Sequence, residues 1–158
     1  MSLELLTDRY RSLQSQWHPD RFASAEEQRK LQAMQMSIRL NQAYEVLKTP
    51  LFRAAYLLKL RRCDIETVHQ QDLGADLLME QLLLREALEE LPKNASALDT
   101  VEALKQDVRQ KVKECEQSFS AQIEINEIVA AKKSFHKLQF LVKLLKEIEL
   151  KEESRLDY

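Results

Sequence analysis

The sequence predicts an all-helical protein, built as a helical hairpin followed by a three-helix bundle. Three observations carry this. Gly and Pro are nearly absent, at 1 and 3 of 158 residues, so a sandwich or barrel would lack residues for its turns. A phosphate-binding loop or dinucleotide fold needs several glycines within one short window, and this chain has one in all. Finally, apolar residues recur at spacings of three and four along almost the whole chain.

The first helix is expected over Leu3–Trp17, where Leu6, Tyr10, Leu13 and Trp17 form one stripe. His18 precedes Pro19, and a residue before proline is pushed out of the α region, so the helix should stop at Trp17. Residues 18–23 then connect. Ser24-Ala-Glu-Glu27 reads as a capping box opening a second helix. Its expected core face holds Leu31, Met34, Ile38, Asn41, Tyr44 and Leu47. Asn41 is polar in that stripe and needs a partner, expected from loop backbone. Thr49 and Pro50 read as N-cap and first position of a third helix running to about Arg61.

Residues 63–75 are polar and hold the one Gly, and they read as a linker between two units, 1–62 and 76–158. Three long helices follow: Asp76–Leu91, stopped by Pro92; about Ala97–Ile123; and about Glu127–Glu152. The split between the last two comes from phase. Val101, Leu104, Val108, Val112, Cys115 and Phe119 form one stripe, and Ile128, Phe135, Leu138, Val142 and Leu145 another, rotated by more than about a quarter turn. One straight helix cannot bury both against one neighbour, so a turn is expected near Asn126. Short connections favour antiparallel neighbours and hence a bundle.

Charge is uneven. Residues 1–62 sum to +5 and residues 63–158 to −7, for a net −2, which suggests two surfaces with different partners. No apolar run exceeds the five residues Ala54–Leu58, too short to span a membrane, and no secretory signal is seen. Cys63 and Cys115 lie far apart and the 3 His are scattered, so neither a zinc ligand set nor any other cofactor site is expected. Lone thiols fit a reducing compartment.

Two segments stand out for function. His18-Pro19-Asp20 links two helices. No nucleophile or paired carboxylate accompanies it, so a catalytic reading has little support. A rigid proline loop offering a carboxylate to a partner's guanidinium is the better physical reading. The second segment is Asp76–Leu91. Leu77, Leu84, Leu88 and Leu91 form one stripe, while Leu78, Met79, Leu82 and Leu83 lie opposite, followed by Glu86, Glu89 and Glu90. A helix apolar all round in a small bundle must cover something else, and an apolar patch followed by acids suits docking. Packing of this face against the N-terminal unit is the structural alternative. Phe140 lies away from the core stripe of its own helix and would matter if it abutted Leu78–Leu82.

Trp17-His-Pro-Asp-Arg21-Phe22, then a long helix ending Asn41-Gln-Ala-Tyr44-Glu-Val-Leu47, then Pro50 and Arg53-Ala-Ala-Tyr56, resembles a J-domain over about residues 3–60. With Leu-Leu-Met-Glu-Gln-Leu (77–82), Leu-Arg-Glu (84–86) and Lys137-Leu-Gln-Phe140-Leu, nearly the whole chain resembles the HscB-type co-chaperones of iron–sulfur cluster assembly. The resemblance implies a J-domain hairpin over 1–62 that lacks the family's further first helix, and a scaffold-binding bundle over 76–158. It implies a DnaK-type ATPase, HscA, docking on His18, Pro19 and Asp20 with Arg9 and Arg21 in support. It also implies the scaffold protein IscU held by Leu78, Met79, Leu82, Leu83, Glu86, Glu90 and Phe140. The implied protein is a non-enzymatic adaptor in the cytoplasm, bacterial rather than mitochondrial, with no nucleic-acid or membrane partner. A J-domain adaptor for another client, or a structural helical protein with an incidental His-Pro-Asp, remain the alternative readings.

Overall fold

The computed structural model describes residues 2–67, 70–91 and 98–156. Among them are six α-helices, one 3₁₀ turn and no strand: α1 (Leu3–Trp17), the 3₁₀ turn (Pro19–Phe22), α2 (Glu27–Lys48), α3 (Pro50–Leu60), α4 (Gln70–Glu89), α5 (Leu98–Glu124) and α6 (Ile128–Leu156). The chain divides into two compact units, Met1–Tyr56 and Leu57–Tyr158. No described helix is long and apolar enough to cross a membrane.

In the first unit α1 and α2 run antiparallel. Ser2 caps α1, its hydroxyl accepting the Leu5 N–H at 3.3 Å. The helix stops at Trp17 because His18 is extended, with φ −63° and ψ 130°, as the following proline demands. The pairing with α2 is aromatic and polar. Tyr10 and Tyr44 stack with ring centroids 4.1 Å apart. The Tyr10 hydroxyl donates to Asn41 Oδ1 at 2.8 Å, so the partner of Asn41 is this side chain and not loop backbone.

Two expectations for α2 fail. The capping box at Ser24 does not form: the N-cap is Glu26, and it makes no side-chain cap hydrogen bond. The Pro19–Phe22 turn and the bend after it carry Ser24 outside the helix start. The first half of the expected core face is also turned outward, with Leu31, Met34 and Ile38 exposed, while Asn41 and Tyr44 do meet Tyr10 of α1. The line that is covered is Ala33, which is buried, with Ser37, Leu40 and Tyr44 half-buried. Pro50 opens α3 as expected, and the Arg53 N–H bonds to Thr49 O at 2.9 Å.

In the second unit α6 is the central helix. Leu138, Leu141, Leu144 and Ile148 are fully buried along it, because α5 packs on one side and α4 on the other. This wide contact arc explains why Leu141, Leu144 and Ile148 form the core while Val142, expected inside, is 37% exposed. The α5 stripe is close to expectation, with Val101, Val108, Cys115 and Phe119 buried. α5 runs antiparallel to α6, as the contacts Lys105–Glu152 and Gln122–Ser134 near their two ends require. α4 runs parallel to α6, from Glu80–Lys137 to Leu88–Lys151.

The turn between α5 and α6 centres on Asn126 in the left-handed region at φ 62°. The Glu127 N–H reaches back to Gln122 O at 2.8 Å, closing a Schellman cap. α4 has a kink. Gly74 takes φ 74° and ψ 153° inside it, a conformation open essentially to glycine alone. The helix therefore starts before the expected Asp76 but is interrupted at Gly74. The stop expected at Pro92, and the start expected at Ala97, lie outside the described residues.

Candidate binding surfaces

The first candidate surface is the loop after α1. His18, Pro19 and Asp20 are exposed, and the Asp20 side chain is 90% exposed. The loop is braced from within. The Asp20 N–H donates to His18 Nδ1 at 3.3 Å, which leaves Nε2 carrying the ring proton in the neutral form. Trp17 and Phe22 stack across the loop at 6.1 Å. The Arg21 guanidinium donates to Ser15 O at 2.9 Å, so Arg21 ties the loop to the last turn of α1. Arg9 lies exposed on α1, about two turns from that loop along the helix. Gln16, Trp17, Phe22, Arg29 and Gln32 line a shallow cleft of about 390 Å³ beside it. The result is a braced loop with an exposed carboxylate beside the His18 ring. Such an arrangement can dock directionally on a partner's guanidinium. Sequence reasoning missed the Trp17–Phe22 stack, although both residues flank the motif.

The second candidate surface is on α4. Leu77, Leu84, Leu88 and Leu91 are buried, at 3–8% exposure, which is the stripe the phase predicts. Leu78, Met79, Leu82 and Leu83 are 40–58% exposed. Glu86, Glu89 and Glu90 are exposed one turn on. An α-helix places Leu78, Leu82, Arg85 and Glu89 in one line, and Met79, Leu83, Glu86 and Glu90 in the next. Four apolar side chains with an acidic margin on a helix face are therefore presented together.

What fixes this face is α4's attachment to its neighbours. The Glu80 carboxylate takes Lys137 of α6 at 2.6 Å and Lys111 of α5 at 3.3 Å, joining three helices at one point. Burial would raise the pKa of Glu80, but the two ammonium groups outweigh it and hold the carboxyl below its ordinary value. Lys151 Nζ donates to Leu88 O at 3.3 Å near the other end.

Phe140, half-buried on α6, is brought beside this face by a residue that sequence reasoning passed over. The Arg85 guanidinium lies 5.8 Å from the Phe140 ring centroid. It also makes a two-point ion pair with Glu147, at 2.5 and 3.3 Å. The spacing Leu78–Leu82–Arg85 was a signal that could have found it. Among the described residues no group of three or more His, Cys, Asp or Glu is placed to hold a metal ion. Cys115 donates to Ser134 O, and burial pushes its thiol up to about 11, which makes it a core group and not a reactive one.

Comparison with known proteins covers both units. The family described as the HSCB C-terminal oligomerisation domain matches residues 73–149. The co-chaperone protein HscB homolog of Aeromonas salmonicida is 39% identical over 149 residues, which cover 94% of this chain and 87% of that protein. The homolog of Vibrio vulnificus is 38% identical with the same coverage. Among solved structures, chaperone HscB from Vibrio cholerae superposes with a TM-score of 0.85 at 34% identity, over 98% of this chain and 90% of that one. Human co-chaperone protein HscB also gives 0.85, at 28% identity, over 96% and 75%.

Proposed function

The chain belongs to the HscB family of co-chaperones, and from that premise we propose that it binds an iron–sulfur scaffold protein of the IscU type and delivers it to a DnaK-type ATPase of the HscA type, whose ATP hydrolysis it stimulates. It acts as an adaptor in iron–sulfur cluster assembly and transfer, binds without catalysing, and works in the cytoplasm of a bacterium.

The observation that carries the reading is the presence of two exposed and chemically different surfaces, one on each unit. The carboxylate loop belongs to the first unit and the apolar α4 face to the second. An adaptor needs both at once. In this reading His18, Pro19 and Asp20 contact the ATPase, with Arg9 supplying charge and Arg21 holding the loop. Leu78, Met79, Leu82 and Leu83 supply apolar anchors to the scaffold, Phe140 adds a ring beside them, and Glu86 and Glu90 select a basic margin. The loop does no chemistry of its own. It would bias a conformational equilibrium in the ATPase by binding one of its states better.

The test is ATP turnover by a purified HscA-type ATPase with this chain and an IscU-type scaffold added singly and together. The reading predicts stimulation by the chain, further stimulation with the scaffold, and loss of both with His18→Gln. A J-domain adaptor for another client would stimulate without any scaffold effect. A structural protein would not stimulate at all.

A further inference from the structure

The second surface carries one cation, and its position is unusual. Between residues 76 and 91 the only Lys or Arg is Arg85. It lies in line with Leu78 and Leu82 but does not project alone from that face. Its guanidinium lies over Phe140 and is gripped at two points by Glu147, about two turns further along α6. The pair is part-buried, with side-chain exposures of 40% for Arg85 and 30% for Glu147. A planar guanidinium held bidentately over a ring loses little freedom per contact and gains attraction from the ring face.

We propose that Arg85 and Glu147 form a latch over Phe140, in which Glu147 competes with the scaffold partner and so sets its affinity. This rests on the reading of α4 as the scaffold-binding face. A partner that uses the ring of Phe140 as an apolar anchor must first displace the guanidinium covering it. Arg85 then needs a new carboxylate. Glu89 stands one turn along α4, the spacing at which side chains meet, and a carboxylate on the partner would serve equally. The latch thus has a closed arrangement, with Arg85 on Glu147 and the ring covered, and an open one with the ring free. Glu147 is a positioning residue in this scheme. A single client carboxylate beside its apolar anchor would take over Arg85, within the otherwise basic margin that Glu86 and Glu90 face.

Glu147→Gln removes the charge from the grip and keeps its shape. The pair lies at the surface with both side chains only part-buried, so the variant should fold. Titrated with an IscU-type scaffold, it should bind about threefold to tenfold more tightly than wild type, as a charge-assisted pair becomes a neutral one. By NMR of the free protein, Arg85 side-chain protons should be shifted upfield by the Phe140 ring and lose that shift in Glu147→Gln. Phe140→Ala is measured alongside and should weaken binding. Weakened binding by Phe140→Ala with unchanged or weaker binding by Glu147→Gln would overturn the latch and leave the face standing. Unchanged binding by Phe140→Ala would overturn both. Arg85 protons without an upfield shift in wild type would overturn the latch by themselves.

Discussion

Replacing Leu78 and Leu82 together by alanine separates a binding face from a packing face. Leu78 is 40% and Leu82 53% exposed. Each substitution removes three carbons, worth about 0.8 kcal/mol per buried methylene. Roughly half of each residue is already covered, and the removed tip is its most exposed part, so each change should cost at most about 1 kcal/mol. No closed cavity is left on an open face, so the additional cavity penalty does not apply. The double variant should lose at most about 2 kcal/mol, which is roughly 4–8 °C in melting temperature for a chain of this size. Leu84→Ala or Leu88→Ala, at 7% and 3% exposure, should each cost about 2–5 kcal/mol instead. Binding should behave in the opposite way. Two apolar anchors at about 1–2 kcal/mol each amount to a loss of scaffold affinity of roughly 30-fold to 1000-fold. The assay is calorimetric titration with the scaffold, with a thermal melt of the same sample. An affinity changed by less than about threefold, with the melting temperature lowered as far as by Leu88→Ala, would refute the assignment of this face.

Two further outcomes follow from the bundle. Glu80 has a lowered pKa in the folded protein, so its ion pairs contribute stability above the ordinary carboxyl value of 4.5, and that contribution is lost as pH falls through the folded value. Glu80→Gln should therefore flatten the fall in melting temperature on acidification below about pH 5; the cost at neutral pH is roughly 1 kcal/mol, because the three groups stay partly solvated and screened. An unchanged acid slope would contradict this. Gly74→Ala places a Cβ 2.9 Å from Lys133 Nζ, which a flexible side chain can yield to, but its φ of 74° and ψ of 153° should cost about 1–3 kcal/mol. Urea melts showing less than about 0.5 kcal/mol would mean the kink is not held in that conformation.

The α4 face was legible because it depends only on helical phase within one segment. The four buried leucines and the four exposed apolar residues both fall where a 100° step puts them. The turn at Asn126 was legible for the same reason, since two stripes out of register force a break. α2 was not, because its apolar residues surround the helix. Leu31, Met34 and Ile38 compete with Ala33 and Leu40 for the inner face, and periodicity cannot rank them. The stack of Tyr44 on Tyr10 of α1 decided the matter. The capping box at Ser24 was a correct local signal overridden by the turn that precedes it. Contacts between distant residues were out of reach. Nothing local to Arg85 announces Glu147, 62 positions away, and nothing local to Asn41 announces Tyr10. The loop motif itself was visible from its residues, but its internal brace, Trp17 on Phe22, required the structure.

The central claim is that two independent surfaces work on one adaptor. Asp20→Asn tests it most directly, with scaffold affinity and stimulation of the ATPase measured on the same preparation. Removing one exposed carboxylate should abolish stimulation and leave scaffold affinity within about twofold of wild type. Equal losses of both activities, or retained stimulation, would contradict the account.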